Sequence, residues 1–384
     1  MAAPSNTLNN YDPLFYAQQA LRILKNSLGL AGRVYRGYDR NTQVPGSTIS
    51  IATPQEFTAG AAPKASVNLA PGEVQIVLDQ WREVKFKMTD KDLSLSRPQI
   101  ITDHIEPAVY ALMDEMDVSL ASTMYQSSGW EGDASSPAAI ADVVGRRTQL
   151  FDNKCNMKDR ERYFMVDGTI GGELLQLSAF TQYQGSGSDG QSAQKTGDLG
   201  YRYGFNIFEN QNVQTHTGGA AVPGATLQIN AAAAVGATSV VFKDSGGSLT
   251  GDVHAGDFFT IAGDTQAYAI TAQANAAANL ITASISPALK VAVSGSEVVT
   301  LTQNTGDIQL AFHRNSTALA MAPLSRAGAE LGAQIEVATD PQTGLSVRAR
   351  RYYIGDDSTV AFAFDVLYGI KVLRPNLITR LRNA

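Results

Sequence analysis

The chain has few of the residues that most often carry chemistry. Among its 384 residues there is one cysteine, Cys155, which excludes an internal disulfide framework and a thiolate metal cluster. No pair of histidines has the HExxH spacing, and no serine lies in a GxSxG elbow. The histidines are His104, His216, His254 and His313. We therefore predict no catalytic, cofactor-binding or metal-binding residues, no cofactor and no enzymatic activity.

Charge and long apolar runs are also scarce. Charged residues make up 17% of the chain, against about 25% in an average soluble domain, while hydrophobic residues reach an ordinary 44%, which excludes a disordered chain. No apolar run approaches the roughly 20 residues that cross a bilayer, so we expect no membrane partner. The opening MAAPSNTLNN is not typical of a secretory signal. The net charge of −6 argues against a protein whose main surface grips nucleic acid phosphates.

The length predicts two or three domains, at about 150 residues each.

In the N-terminal segment, Asp12 and Pro13 are typical of a helix N-cap and first turn, and apolar residues from Leu14 through Leu21 to Leu28 keep a helical period. This helix is either an ordinary core helix or an N-terminal arm that docks on a neighbouring chain. The spacing leaves both interpretations open.

Residues 33–98 change to an alternating, strand-like pattern. Alternation predicts strands at 48–53, 74–78 and 84–88, and the connection QEFTAGAAPKASVNLAPGE has no apolar periodicity. Because so long a structureless connection is unusual inside a compact domain, we predict a long β-hairpin or loop that reaches away from its own core. Charged residues concentrate on the return strand 79–92, which indicates either a solvated face or a contact between subunits.

The clearest helix is predicted at 103–126, where apolar residues form one stripe. The acidic residues Asp114, Glu115 and Asp117 lie off this stripe, and we interpret them as the solvated face of the helix rather than as an acid–base pair.

The next region, up to residue 218, is typical of alternating helices and strands. Helices are predicted at 138–150 and 169–180, and a strand at 162–166. The glycine pair 171–172 fits no phosphate-binding fingerprint and is interpreted as a structural turn.

Residues 219–303 differ in composition from the rest of the chain. They contain seven charged residues among 85, about 8%, whereas the other 299 residues contain 59, about 20%. Short β-like runs separated by turn residues predict a small all-β barrel or sandwich that is inserted into another domain. The predicted strands are 226–230, 238–243, 257–262, 265–272, 280–284 and 297–302. The spacing of Asp252, His254 and Asp257 matches no calcium or zinc motif, so these are interpreted as solvated turn residues.

The C-terminal region returns to the earlier composition. A strand followed by a helix is predicted over 310–319, and strands are predicted at 347–354 and 359–372. The first of these two strands carries a basic triplet, Arg348, Arg350 and Arg351. In an acidic chain such a triplet favours ion pairs over nucleic acid binding.

Four runs of the sequence resemble major capsid proteins of tailed bacteriophages, which have the Hong Kong 97 type of fold. They are GSTISIATP (46–54), GDLGYRYGFNIFENQNVQTHTGG (197–219), QLAFHRNSTALAMAPL (309–324) and VRARRYYIGDDSTVAFAFDVLYGIKVLRPNLITRL (347–381). They occur in the expected order across nearly the whole chain. The low-charge β segment adds a resemblance to the phage P-22 coat protein family, whose members carry an inserted β-barrel.

The resemblance implies an α+β fold with five parts. These are an N-terminal arm (1–41), an extended loop (42–98), a peripheral domain (99–135 and 357–384) with a long spine helix, an axial domain (136–218 and 304–356) and an inserted β-barrel domain (219–303).

The resemblance implies a structural protein that self-assembles into pentamers and hexamers of an icosahedral shell. Its expected partners are other copies of itself, a scaffolding protein and a portal during assembly, and packaged double-stranded DNA without sequence specificity. Its expected location is the virion, after assembly in the host cytoplasm. An encapsulin-type nanocompartment is the alternative. A soluble enzyme with a β appendage is disfavoured by the lack of a catalytic constellation.

The arm and the loop supply the candidates for contacts between subunits. These are Leu14, Leu21, Lys64, Trp81, Arg82 and Lys85. Relatives that crosslink join a lysine to an asparagine of another subunit. Lys64 lies in the loop, but no acceptor is recognisable, so no crosslink is predicted.

Overall fold

The computed structural model describes residues 17–22, 29–36, 48–53, 61–62, 68, 72–89, 104–181, 193–326, 333–339, 345–355 and 358–383. Residues 17–22 and 193–196 are helical. The further helices are α1 Glu106–Ser127, α2 Ile140–Asp152, α3 Gly168–Gln176 and α4 Ser178–Thr181, with 3-10 turns at Arg314–Ser316 and Pro375–Leu377. Among the described residues, no helix is both long enough and apolar enough to cross a membrane.

The strands, in chain order, are β1 Thr48–Thr53, β2 Gly72–Val77, β3 Gln80–Thr89, β4 Glu131–Asp133, β5 Arg162–Val166, β6 Gly200–Arg202, β7 Phe205–Glu209, β8 Gln214–His216, β9 Val222–Pro223, β10 Leu227–Ile229, β11 Ser239–Asp244, β12 Leu249–Thr250, β13 Asp252–Val253, β14 Phe258–Ile261, β15 Ala267–Ile270, β16 Ala274–Asn275, β17 Leu280–Ser286, β18 Val299–Thr302, β19 Gly306–His313, β20 Thr317–Ala322, β21 Gln334–Thr339, β22 Ser346–Ile354, β23 Thr359–Val372 and β24 Ile378–Asn383.

The chain divides into two compact units. The first comprises residues 1–28, 36–116 and 318–373, and the second comprises 29–35, 117–317 and 374–384. The five-part division that the resemblance implies stays a prediction.

The first unit is built on the sheet β20-β23-β22-β21, with β3 also paired to β23. Residues 359–365 of β23 pair with β22, and residues 359–368 pair antiparallel with β3, so these two neighbours occupy opposite edges of β23. The prediction that the whole loop reaches away from its own core is therefore wrong for β3. The long strand β23 offers a second edge, and β3 satisfies its backbone groups there.

The second unit contains the sheet β4-β24-β19-β5-β7-β6, with β8 paired to β19. One hydrophobic cluster includes Phe164 and Phe205, whose ring centroids are 5.8 Å apart, and the buried Leu150 of α2. Helix α2 confirms the helix predicted at 138–150, and β5 confirms the strand predicted at 162–166.

The six strands predicted within 219–303 form one sheet of their own, in the order β10-β11-β17-β15-β14-β18. The two ends of this order meet in an antiparallel bridge between Gln228 and Val298. All members of the hydrophobic cluster beneath the sheet come from the same segment, and Phe242 and Phe259 pack edge to face with centroids 4.9 Å apart. The segment therefore has a hydrophobic core of its own.

Two local predictions are wrong. The helix expected after the strand near 310 is absent from the described residues 314–322, which form a 3-10 turn and β20. Burial of Ala318 and Ala320 in a sheet overrides alanine's intrinsic preference for helix, because tertiary packing outweighs helix propensity. The glycine pair 171–172 lies inside α3 rather than at a turn. A Cβ on Gly171 would lie 2.3 Å from Glu209 Oε1, so a larger residue there would displace the Glu209 side chain.

Candidate assembly surface

Three of the predicted contact residues lie on β3. Trp81 and Lys85 point to one face of the sheet and Arg82 points to the other, because side chains alternate along a strand. Trp81 is 54% exposed, and Lys85 is also exposed. An exposed tryptophan is uncommon on a surface that contacts only water, and tryptophan is enriched in interfaces.

A buried carboxylate holds the exposed tryptophan in place. Asp365 of β23 has no exposed surface, and its Oδ2 accepts a hydrogen bond of 3.2 Å from Trp81 Nε1. Its Oδ1 accepts one of 3.0 Å from Arg348 Nε, and Arg348 Nη2 contacts Oδ2. The indole is thus fixed at one end while its ring remains open to solvent.

The basic triplet supplies the cations of this cluster, which confirms the prediction of ion pairs. Arg350 bridges two strands, with its Nη2 3.2 Å from Asp365 Oδ2 and 2.9 Å from Glu83 Oε2. Arg351 lies instead over the ring of Phe362, 5.7 Å from the centroid. The role of Asp365 was not predicted. Its position as the only acid in a long apolar strand, TVAFAFDVLYGIKV, is the signal that could have found it.

The opposite face of β3 is occupied within the chain. Arg82 Nε lies 3.0 Å from Glu115 Oε1 of α1, and both side chains are about half exposed. Phe86 stacks on Phe362 with centroids 5.5 Å apart. An exposed ion pair of this kind contributes little, about 0–1 kcal/mol. Arg82 is therefore a weaker candidate for an intersubunit contact than Trp81.

The outer edge of β3 has no partner strand among the described residues, where β3 pairs only with β23. Trp81 therefore lies on a strand whose outer edge pairs with no other described strand. Lysines such as Lys85 are typical of edges that avoid uncontrolled pairing. Lys85 Nζ also lies 5.1 Å from the centroid of the Tyr352 ring.

The remaining candidates for contacts between subunits, in the arm and in the rest of the loop, are less informative. Leu14 and Lys64 lie outside the described residues, and Leu21 is half-buried next to the buried Ala17 and Ala20. The following segment 29–36 is not free, because Leu30, Ala31 and Val34 are fully buried in their own chain.

This segment is anchored by Asp117, which was predicted to be solvated. The carboxylate is 1% exposed and accepts 2.9 Å hydrogen bonds from the backbone N–H groups of Leu30 and Ala31. It also accepts a 3.3 Å bond from Asn210 Nδ2. Burial raises the pKa of Asp117, against the effect of these hydrogen bonds and of the nearby Arg33. The interpretation as a solvated face is therefore wrong for Asp117. The helix stripe could not show this, because the donors lie far away in the sequence.

One cluster has the residue types of a metal site. Single ligand atoms of Asp159, Glu161 and His313 all lie within 4.8 Å of one another. Each is already paired, since His313 Nε2 is 2.7 Å from Asp159 Oδ2 and Arg314 Nη1 is 3.1 Å from Glu161 Oε1. His313 Nδ1 accepts a 3.1 Å bond from a backbone N–H, so Nε2 carries the proton. The cluster is therefore held by the hydrogen bond from His313 to Asp159 and by the ion pair between Arg314 and Glu161.

The thiol of Cys155 is buried, and burial raises its pKa to about 11. It is therefore a poor nucleophile near neutral pH, because the thiolate is the reactive form.

No protein-family model and no curated protein sequence matches the chain. A structure from Mycobacterium phage Che8 matches with a TM-score of 0.52 at 14% identity, over 92% of this chain and 91% of that chain. The capsid structure of the Cyanophage P-SCSP1u matches with a TM-score of 0.46 at 12% identity, over 90% and 85%. A virus-like particle from Pyrococcus furiosus matches with a TM-score of 0.46 at 9% identity, over 96% and 98%.

The structural neighbours of this chain are phage capsid proteins of the Hong Kong 97 type. The predicted α+β class is confirmed at the level of a mixed fold that matches phage capsid folds. The likeness covers most of both chains in the first comparison, so the fold is shared as a whole rather than through one motif.

Proposed function

We propose that this chain is the major capsid protein of a tailed bacteriophage, which assembles into pentamers and hexamers of an icosahedral shell around double-stranded DNA. The observation that carries the proposal is the fold likeness over 92% of the chain. The exposed Trp81 on β3 supports it, because a shell subunit needs surface that only a neighbour can cover.

The charge of the chain suits a container. A net charge of −6 would repel packaged DNA, which limits adhesion to a cargo that must later leave. The contacts between copies can be individually moderate, since many of them act together in a closed shell.

The closer likeness to the phage P-22 coat protein family rests on residues 219–303. Their separate hydrophobic core and the bridge that joins the two ends of their sheet support a small inserted β-barrel. The proposal also includes a scaffolding protein and a portal as assembly partners, assembly in the host cytoplasm and a final location in the virion.

Electron microscopy of the purified protein, with its scaffolding protein if required, tests the proposal. We expect closed shells tens of nanometres across. A stable monomer under all assembly conditions would contradict it. Shells that copurify with an enzyme cargo, without phage genes beside the coding sequence, would favour the encapsulin-type nanocompartment instead.

Trp81→Ala should weaken assembly more than it weakens folding of the subunit. The side chain is 54% exposed, so most of its surface is available to a neighbour, and an aromatic anchor at an interface contributes about 2 kcal/mol or more. Sedimentation should show a rise of about tenfold or more in the concentration needed for assembly.

The matched control is Trp81→Phe, which keeps a smaller aromatic ring and removes the hydrogen bond to Asp365. We expect it to assemble nearly as well as the wild type. Equal losses of assembly and of subunit melting temperature in Trp81→Ala would place the residue in the monomer core.

Deletion of residues 222–302 should leave a chain that still folds. Among the described residues, the buried members of the cluster beneath the sheet lie within 221–299 and Leu301 packs against them; the ends are close, since a Cβ on Gly218 would lie 2.1 Å from Gln303 O. We expect retained secondary structure by circular dichroism, with a lower folding yield or altered shell size. Complete loss of secondary structure would refute an independent segment.

A further inference from the structure

The start of the 219–303 segment is fastened by two histidines and two aspartates. His216 ends β8, which pairs with β19 in the sheet of the second unit. The chain then passes beside the turn 252–257, which carries Asp252, His254 and Asp257. All of these residues belong to the second unit.

Both ring nitrogens of His254 face oxygen acceptors. Nδ1 lies 2.9 Å from the carbonyl oxygen of Thr217, and Nε2 lies 2.9 Å from Asp252 Oδ2. A carbonyl oxygen and an ionised carboxylate can only accept, so both contacts are hydrogen bonds only when both nitrogens carry protons. A neutral imidazole would turn a lone pair toward one of these oxygens. The geometry therefore selects the imidazolium.

Asp252 is held as an ionised acceptor by two further donors. The backbone N–H of Ala220 lies 3.2 Å from Oδ1, and Gln273 Nε2 lies 2.9 Å from Oδ2. The carboxylate therefore connects His254 both to the incoming chain and to a loop within the 219–303 segment.

Asp257 makes a second, deeper connection. It has no exposed surface, and its carboxylate accepts a 2.7 Å bond from the backbone N–H of His254 and a 3.2 Å bond from that of Gly219. His216 Nε2 lies 3.0 Å from its Oδ1. The prediction of solvated turn residues is wrong for Asp257. Its partners hold the turn against the incoming strand.

We propose that His254 and Asp252 form a proton-controlled latch. When the imidazole is protonated, the latch holds the turn that carries these two residues to residues 217–220, at the start of the 219–303 segment. When the proton leaves, this contact loosens. The contact between Asp257 and His216 lies beside this latch and is not part of it. Because Thr217 follows the core strand β8, the latch controls how firmly the segment is held to the rest of the second unit.

The electrostatics agree with this geometry. The pKa of His254 is raised, first by the Thr217 carbonyl and then by Asp252, while the hydrogen bond from Gln273 is the main cause that lowers the pKa of Asp252. A histidine whose pKa is raised on folding contributes its full stabilisation below its ordinary value of about 6.5. That contribution is lost as the pH rises through the raised value.

Other charged groups face the same region from neighbouring elements. Arg380 of β24 donates to the carbonyl oxygens of Tyr125 and Gly256 and pairs with Glu131 at 3.1 Å. The ring of Tyr125 lies 5.9 Å from that of His216. Burial raises the pKa of Glu131 and lowers that of Arg380.

Hydrogen exchange of the full chain, followed by mass spectrometry between pH 6 and 9 and corrected for intrinsic rates, tests the latch. In the wild type, protection at residues 217–220 should fall by about five- to tenfold over this range, which corresponds to one hydrogen bond of about 1 kcal/mol. In His254→Gln the protection should be lower at pH 6 and should not change with pH.

His104→Gln is the matched control, because His104 is exposed and lies in the first unit. It should keep the wild-type pH profile at residues 217–220. Asp252→Asn offers a second readout, since exchange at the imidazole C2 position should show a lower titration midpoint for His254. A flat wild-type profile would overturn the latch, as would an unchanged profile in His254→Gln or an unchanged midpoint in Asp252→Asn.

Discussion

Asp365→Ala is expected to lower the free energy of unfolding of the first unit by about 3–5 kcal/mol, the cost of leaving a buried cation without its partner. Arg348 is 7% exposed, and the hydrogen-bond acceptor that it would keep among the described residues is the carbonyl oxygen of Ser325, at 2.8 Å from Nη1. Trp81 would lose its hydrogen bond at the same time. Urea denaturation of dissociated subunits measures the loss.

Glu83→Ala is the control for this prediction. Glu83 pairs with Arg350, which also contacts Asp365. Because the Glu83 side chain is 33% exposed, its removal should cost less than about 1 kcal/mol. Asp365→Asn should fall between the two, since it keeps an oxygen acceptor and loses the charge. A loss of less than about 1 kcal/mol in the free energy of unfolding for Asp365→Ala would contradict the prediction that the cluster stabilises the first unit.

Asp117→Ala should cost about 2–4 kcal/mol and release residues 29–36. It would leave the buried N–H groups of Leu30 and Ala31 without an acceptor, and each unsatisfied buried group costs about 1–3 kcal/mol. The loss should appear in urea denaturation and as faster hydrogen exchange at both amides.

Asp114→Ala, on the exposed side of the same helix, should change stability by less than about 0.5 kcal/mol. Gly29→Ala should reproduce part of the Asp117→Ala effect, because its Cβ would lie 2.3 Å from Asp117 Oδ2. Unchanged exchange at Leu30 and Ala31 in Asp117→Ala would mean that apolar packing alone holds the segment.

Much of the secondary structure could be predicted because its signal is local. The helix predicted at 103–126 is α1, Glu106–Ser127, and each of the six strands predicted within 219–303 is present. In these segments the apolar period repeats within a few residues, so neighbouring positions suffice to define the face that is buried. Residues 314–322 show the limit, because alanines can enter either helix or sheet and their surroundings decide.

The candidate surface could be predicted only in part. The predicted loop indicated Trp81 as a contact candidate, and the basic triplet indicated ion pairs. The residue that holds them together, Asp365, lies 284 positions from Trp81, and no local pattern connects the two. The burial of Asp117 and of Asp257 could not be predicted for the same reason.

The scarcity of catalytic groups, the position of the low-charge β segment and the order of most helices and strands follow from composition and short periods, which are properties of the chain alone. Which carboxylates are buried, and which strand β3 joins, depends on contacts between segments that are distant in the sequence. A buried charge is tolerated only where donors meet it, and those donors come from distant segments, such as Leu30, which is 87 positions from Asp117.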